Sequence, residues 1–304
     1  MAQMIPKLIT YIKGLRENVI PHAGWEMILM RLCMLYPFYR AIGRKLPNVQ
    51  PHPNGLAHFF DLTFLAQPAV VQGTMILCIV AAFFYVSGWL MIPALTVLSV
   101  VLILQGTLIN SQGAINHSLQ LLTMVVVAQW LVYIYGAVRH LGRHQAHLQA
   151  VHWAKIVIAA SYVTAAFSKL FASSEFWIAR VPYMALQVIK SNLQTYYNRL
   201  EVNPSFIAEK FPYWVLEFPN VARLFFGAGL ALELFAFLAL VSRGWALFIG
   251  ISMLVLHYTI QIIMTLEFRH HVYLLLIFYV NAPWLLYAGG KWIADRFKGR
   301  TVPA

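Results

Sequence analysis

Runs of about twenty apolar residues follow one another along this chain, at 68–89, 90–110, 114–135, 151–172, 221–241, 244–266 and 272–289. A helix rises about 1.5 Å per residue, so each run is long enough to cross the ~30 Å hydrocarbon layer of a bilayer. An earlier run, 25–42, is interrupted by Glu26, Arg31 and Pro37, and it is expected to span, lie at the interface or re-enter. The expected fold is all-α: one integral membrane domain covering 1–304, a polytopic bundle of seven to eight transmembrane helices.

Apolar residues make up 61% of the 304 residues and charged ones 11%, where a soluble domain carries about 25% charged. The formal net charge is +12. Its cations, among them Arg40, Arg44, Lys45, Arg139, Arg143, Lys291, Arg296, Lys298 and Arg300, gather at the ends of apolar runs. That pattern fits orientation in a membrane and contact with anionic lipid, and no nucleic-acid motif or protein-partner motif accompanies it. The connection 139–155 and the basic tail 290–304 are expected to be cytoplasmic, and with eight spans both termini are. Residues 1–20 hold no h-region of a cleavable signal. Cys33 and Cys78 sit in apolar runs without redox spacing and read as small buried hydrophobes.

Between the fourth and fifth full runs lies the longest non-spanning stretch, 173–220. Val181, Met184, Val188 and Ile189 recur there at helical spacing, which predicts an interfacial amphipathic helix on the extracytoplasmic side. Trp177, Tyr183, Tyr196, Tyr197, Tyr213 and Trp214 suit the headgroup level.

Ionisable groups inside apolar runs are the best guide to function, because such groups face a protein interior or a wet cavity. His117 in Asn116-His117-Ser118 and Lys169 in Phe167-Ser168-Lys169-Leu170 each lie about 4–6 Å below the outer end of a run, so they can share a pocket at one depth. Lys169 is a general base if desolvation keeps its amine neutral, or else a lysine snorkelling to the interface. His117 polarises or protonates a substrate oxygen, or satisfies a helix end. Glu233 and His257, with Tyr258 beside it and Gln261 one turn on, lie mid-run and read as a proton relay or as interhelical hydrogen bonds. Gln105, Asn110 and Gln129 add hydrogen-bonding capacity. His140, His144 and His147 at i, i+4, i+7 fall on one helix face, but the site is expected to hold no metal, and this connection reads as solvated and basic.

These residues carry a resemblance. Asn116-His117-Ser118, then Tyr162-Val163-Thr164-Ala165-Ala166-Phe167-Ser168-Lys169-Leu170 with Trp177, then His257 with Gln261, resemble in order and approximate spacing the motifs of the vitamin K-dependent gamma-carboxylase superfamily, over roughly 25–290. Ala166 stands where the family has Gly. The resemblance implies base or proton-transfer character for Lys169 and a substrate-polarising role for His117. It also implies an isoprenoid-type or prenylated lipid as substrate, with Asn116, Tyr162, Trp177, Tyr258 and Gln261 as substrate-binding residues.

The carboxylase carries a large extracytoplasmic peptide-binding domain after its helices. Here about fifteen residues follow the last run. The chain is therefore expected to resemble the short bacterial relatives, some of which look like membrane-bound cyclases of terpenoid or prenylated substrates, in a bacterial inner membrane. The expectation is a cofactor-free enzyme for proton transfer or cyclisation, with His117, Lys169, Glu233 and His257 catalytic. A carboxylase-like oxidase or epoxidase of a quinol is the second enzyme reading. A proton-coupled transporter or accessory membrane protein is the reading from another class.

Overall fold

The computed structural model describes residues 19–42, 53–113, 117–172, 177–200 and 206–298. Among them every regular element is helical. They fall into two compact units, one of residues 1–157 and 276–304 and one of residues 158–275. Six helices are long and apolar enough to cross a membrane, or seven if one bent pair counts as a single span. The chain is thus a helical bundle with the character of an integral membrane protein.

In the first unit, the interrupted run 25–42 forms two short helices, α1 (Gly24–Cys33) and α2 (Leu35–Ile42), and neither is long enough to be a span. The side chain of Glu26 reaches back to accept from the backbone N–H of Ala23 at 3.1 Å, closing the first turn of α1. Met27, Met30, Met34 and Phe38 are buried along α1 and α2.

Three antiparallel spans follow: α3 (Pro68–Ser87), α4 (Met91–Asn110) and α5 (His117–Val138). Proline at the first position of α3 needs no hydrogen-bond donor. Gly88, at φ 74°, ends the helix in the left-handed region that favours glycine. All three helices are apolar around their whole circumference, as expected of helices that face lipid on one side and neighbours on the other. Ile76, Ile79 and Phe83 point outward, whereas Leu95, Leu98, Leu102 and Leu122 are fully buried. Polar bonds tie neighbouring spans together, from Trp130 Nε1 to Thr96 Oγ1 at 2.8 Å and from the Tyr85 hydroxyl to Gln129 Oε1 at 3.0 Å.

The fourth span, α6 (Arg143–Ala172), is a 30-residue helix that begins well before the expected start at 151. The expected polar connection is therefore largely helix. His140 has φ 52° and sits in the turn before α6, so it does not share a helix face with His144 and His147. His147 is buried rather than solvated, because its Nδ1 is 2.6 Å from the Tyr133 hydroxyl. Lys155, expected at the cytoplasmic edge, is 2% exposed and lies thirteen residues into the helix.

The second unit receives the C-terminal half of α6. A 3₁₀ turn at Trp177–Tyr183 leads to α7 (Met184–Arg199), α8 (Phe206–Glu217), α9 (Pro219–Leu234), α10 (Arg243–Met264) and α11 (Arg269–Leu274). The span begun by α9 continues as a 3₁₀ turn through Ala236–Leu240. Ser242 caps α10 by accepting from the backbone N–H of Trp245 at 3.2 Å. The stretch 173–220 is thus mostly helix. Val181, Ala185, Val215 and Ala222 form its core with Phe211, Trp214 and Phe226 packed against them. Val188 packs with Ile263 and Met264 of α10, where Asn192 Nδ2 also donates to the Ile263 carbonyl at 3.4 Å.

The last apolar run is not one straight helix. A π-helical turn at Leu275–Val280 ends at Asn281, whose φ is 55°, and α12 (Ala282–Lys298) departs at 46°. Asparagine tolerates that left-handed conformation better than a branched residue would. Its side chain is anchored on the Glu26 carboxylate in the first unit.

Candidate functional site

A cavity of about 210 Å³ lies in the second unit. Its wall is mostly apolar, with Phe225, Phe226, Leu230, Leu256, Ile260, Ile263 and Phe268 among the lining residues. Its two ionisable lining groups are Lys169 and Glu233, and they form an ion pair with each other. Lys169 comes from the last turn of α6 and Glu233 from the last turn of α9. The Trp177 ring, also in the wall, lies 6.0 Å from Lys169 Nζ, within cation–π range. The Lys169 side chain is 37% exposed and that of Glu233 is 11% exposed.

The local sequence explains this placement. Gly229, one turn before Glu233, faces the Leu256 side chain of α10, where a Cβ would lie in ordinary contact at 3.4 Å. The aromatic pair Phe225-Phe226 precedes it on the same helix and packs against Phe211. An amine and a carboxyl at the edge of an apolar chamber put a proton donor and a proton acceptor side by side on its wall. Such a pair can deliver a proton to a bound apolar molecule at one atom and remove one from another.

His257 lies beside this cavity and does not line it. Its Nε2 is 2.6 Å from the Tyr162 hydroxyl, and its ring is 6% exposed. The ring lies 5.0 Å from that of Phe268, tilted by 38°, and Phe268 is part of the cavity wall. His271 completes the cluster at 5.5 Å from His257 and 6.0 Å from Tyr162, ring to ring. His257 Nδ1 is buried and has no hydrogen-bond partner among the described residues. Tyr162→Phe therefore leaves both ring nitrogens unbonded. The expected result is a loss of about 1–3 kcal/mol, seen as a lower unfolding midpoint in detergent. An unchanged midpoint would show that the hydroxyl bond contributes nothing.

The structure brings together Lys169, Glu233 and Trp177 in one wall, and Tyr162 with His257 behind Phe268. Tyr258 and Gln261 share α10 with His257 but are exposed and do not line the cavity. His117 is the exposed first residue of α5 and belongs to the first unit, while Asn116 lies outside the described residues. Sequence reading missed Phe225, Phe226, Phe268 and His271, because aromatic residues in an apolar helix carry no sign of which face they occupy.

The first unit holds a second, fully buried polar constellation that the sequence reading did not assemble. His22 Nδ1 is 2.5 Å from Glu26 Oε1, and His22 Nε2 is 3.2 Å from Lys155 Nζ. Asn281 Nδ2 donates to the same Glu26 oxygen, and the Tyr279 hydroxyl donates to the Lys155 carbonyl at 3.3 Å. These bonds link the start of α1 with α6 and with the bend at Tyr279–Asn281. The chain matches no protein-family model, no curated protein and no solved structure.

Proposed function

We propose that this chain is an integral membrane enzyme performing acid/base chemistry on an isoprenoid-type lipid, and that the reaction is cyclisation of a terpenoid or prenylated substrate. The observation that carries the reading is the Lys169–Glu233 pair set into an otherwise apolar, aromatic-rich cavity. A cavity of this composition selects a hydrocarbon ligand and offers it no polar anchor except that pair.

Cyclisation is an isomerisation. A proton added at an alkene or epoxide leaves an electron-deficient carbon, a carbon–carbon double bond closes onto it, and loss of a proton from a neighbouring carbon restores neutrality. The atoms balance without an oxidant or a second substrate. In this reading Glu233 and Lys169 exchange one proton with the substrate, and the faces of Trp177, Phe225, Phe226 and Phe268 stabilise positive charge as it develops. Tyr162 and His257 hold Phe268 in place. The motif resemblance implies a substrate-polarising role for His117, which does not line this cavity. In this reading the aromatic residues of the 173–220 stretch face the outer side of the membrane and frame the substrate entrance.

The test uses the full chain in nanodiscs, offered prenylated quinols and epoxy-terpenoids. Turnover that disappears in both Lys169→Ala and His117→Ala supports the assignment, and turnover unchanged in either variant rejects that residue's role. Proton flux into liposomes without turnover of any of these lipids would support a transporter instead.

A further inference from the structure

Arg31 is 8% exposed, on the last turn of α1, yet its bonds run only to neutral groups. Its Nε donates to the Val86 carbonyl at 3.3 Å, and close by the Tyr133 hydroxyl lies 2.6 Å from His147 Nδ1. No carboxylate pairs with it among the described residues. The acid nearest in sequence, Glu26, is engaged by His22 and Asn281. A buried cation without a counter-charge is strongly unfavourable, and native structures pair such groups.

Next to the guanidinium is a small cavity of about 10 Å³, lined among others by Arg31, Tyr85, Gln129, Tyr133 and His147. That is room for one water or one ion of similar size. Tyr85 donates to the Gln129 amide oxygen, which leaves the Gln129 NH₂ as a donor without a protein acceptor. The wall offers the remaining guanidinium N–H groups and an amide NH₂ as donors, beside the hydroxyl groups of Tyr85 and Tyr133. An uncompensated guanidinium on the wall of a hole this size favours an anion over a neutral molecule and excludes a cation.

We propose that this cavity is a binding site for one small monovalent anion of halide size, held by Arg31 and Gln129. Phosphate and carboxylate ligands are too large for the space. Four helices, α1, α3, α5 and α6, contribute to the surroundings, so the bound ion ties them together, and the site is independent of the lipid chemistry proposed for the second unit.

The test compares the full chain in detergent with gluconate as the only anion against the same protein with increasing chloride. The unfolding midpoint should rise saturably with chloride and with bromide, and should not rise with sulfate at matched ionic strength. Arg31→Met should abolish the halide response. Gln129→Leu should weaken the apparent halide affinity about tenfold or more, and it keeps the test valid if Arg31→Met does not fold. In bromide-soaked crystals an anomalous peak should lie beside Arg31. A midpoint indifferent to halide in the native chain, or a water in place of bromide, would overturn the proposal.

Discussion

Turnover of the lipid substrate should fall by about 10²–10⁴-fold in Lys169→Met, the range typical of removing a general acid or base. Glu233→Gln should fall by a comparable factor, because the two groups pass one proton between them. The double variant Lys169→Met/Glu233→Leu should be little worse than either single one, since groups that act as a unit lose their function once. Steady-state kinetics of the three variants checks this. If the two losses simply multiply, each group works alone and the shared-proton account fails. The cavity is mostly apolar, so Lys169→Met should leave the substrate KM nearly unchanged while kcat falls.

The largest effect on stability should come from the first unit. Glu26 is 1% exposed, and it accepts from His22, from Asn281 and from the Ala23 backbone. Glu26→Ala strips all three donors at once and leaves the Lys155–His22 pair without its carboxylate. Removing one partner of a buried charged network costs about 3–5 kcal/mol. A lower unfolding midpoint in detergent, with lost helicity at the assay temperature, is the expected reading. Glu26→Gln keeps an acceptor and should fall between. A shift no larger than that of a surface substitution, within about 0.5 kcal/mol, would mean that the network is not formed.

The parts that the sequence made legible share a cause. Apolar runs near the bilayer length named the spans because lipid allows little else, and a lone lysine or glutamate inside such a run stood out for the same reason. Lys169, Glu233 and Trp177 were visible in that way, though not their meeting, since 64 residues separate the first two. The unreadable parts depend on partners distant in the chain. Lys155 looked like the end of a basic connection because Arg143, His144, His147 and His152 precede it. Its burial depends on His22, 133 residues away. Arg31 looked like an interruption of a weak span, and only the ends of α3 and α5 around it show why it can be inside. The last apolar run was expected as one span because composition carries no record of a bend, while Asn281 at φ 55° breaks the helix. The polar connection before 151 became helix because His147 finds Tyr133, a contact 14 residues apart.

The most direct measurement is the mass of the product formed from a prenylated or epoxy-terpenoid substrate by the purified chain under strict exclusion of oxygen. A product of the same mass as its substrate, formed by the native chain and absent with Lys169→Met, is what proton-driven cyclisation at the Lys169–Glu233 pair predicts. A product heavier by one oxygen atom that forms only when oxygen is admitted, or isomerisation that proceeds equally well without Lys169, would contradict it.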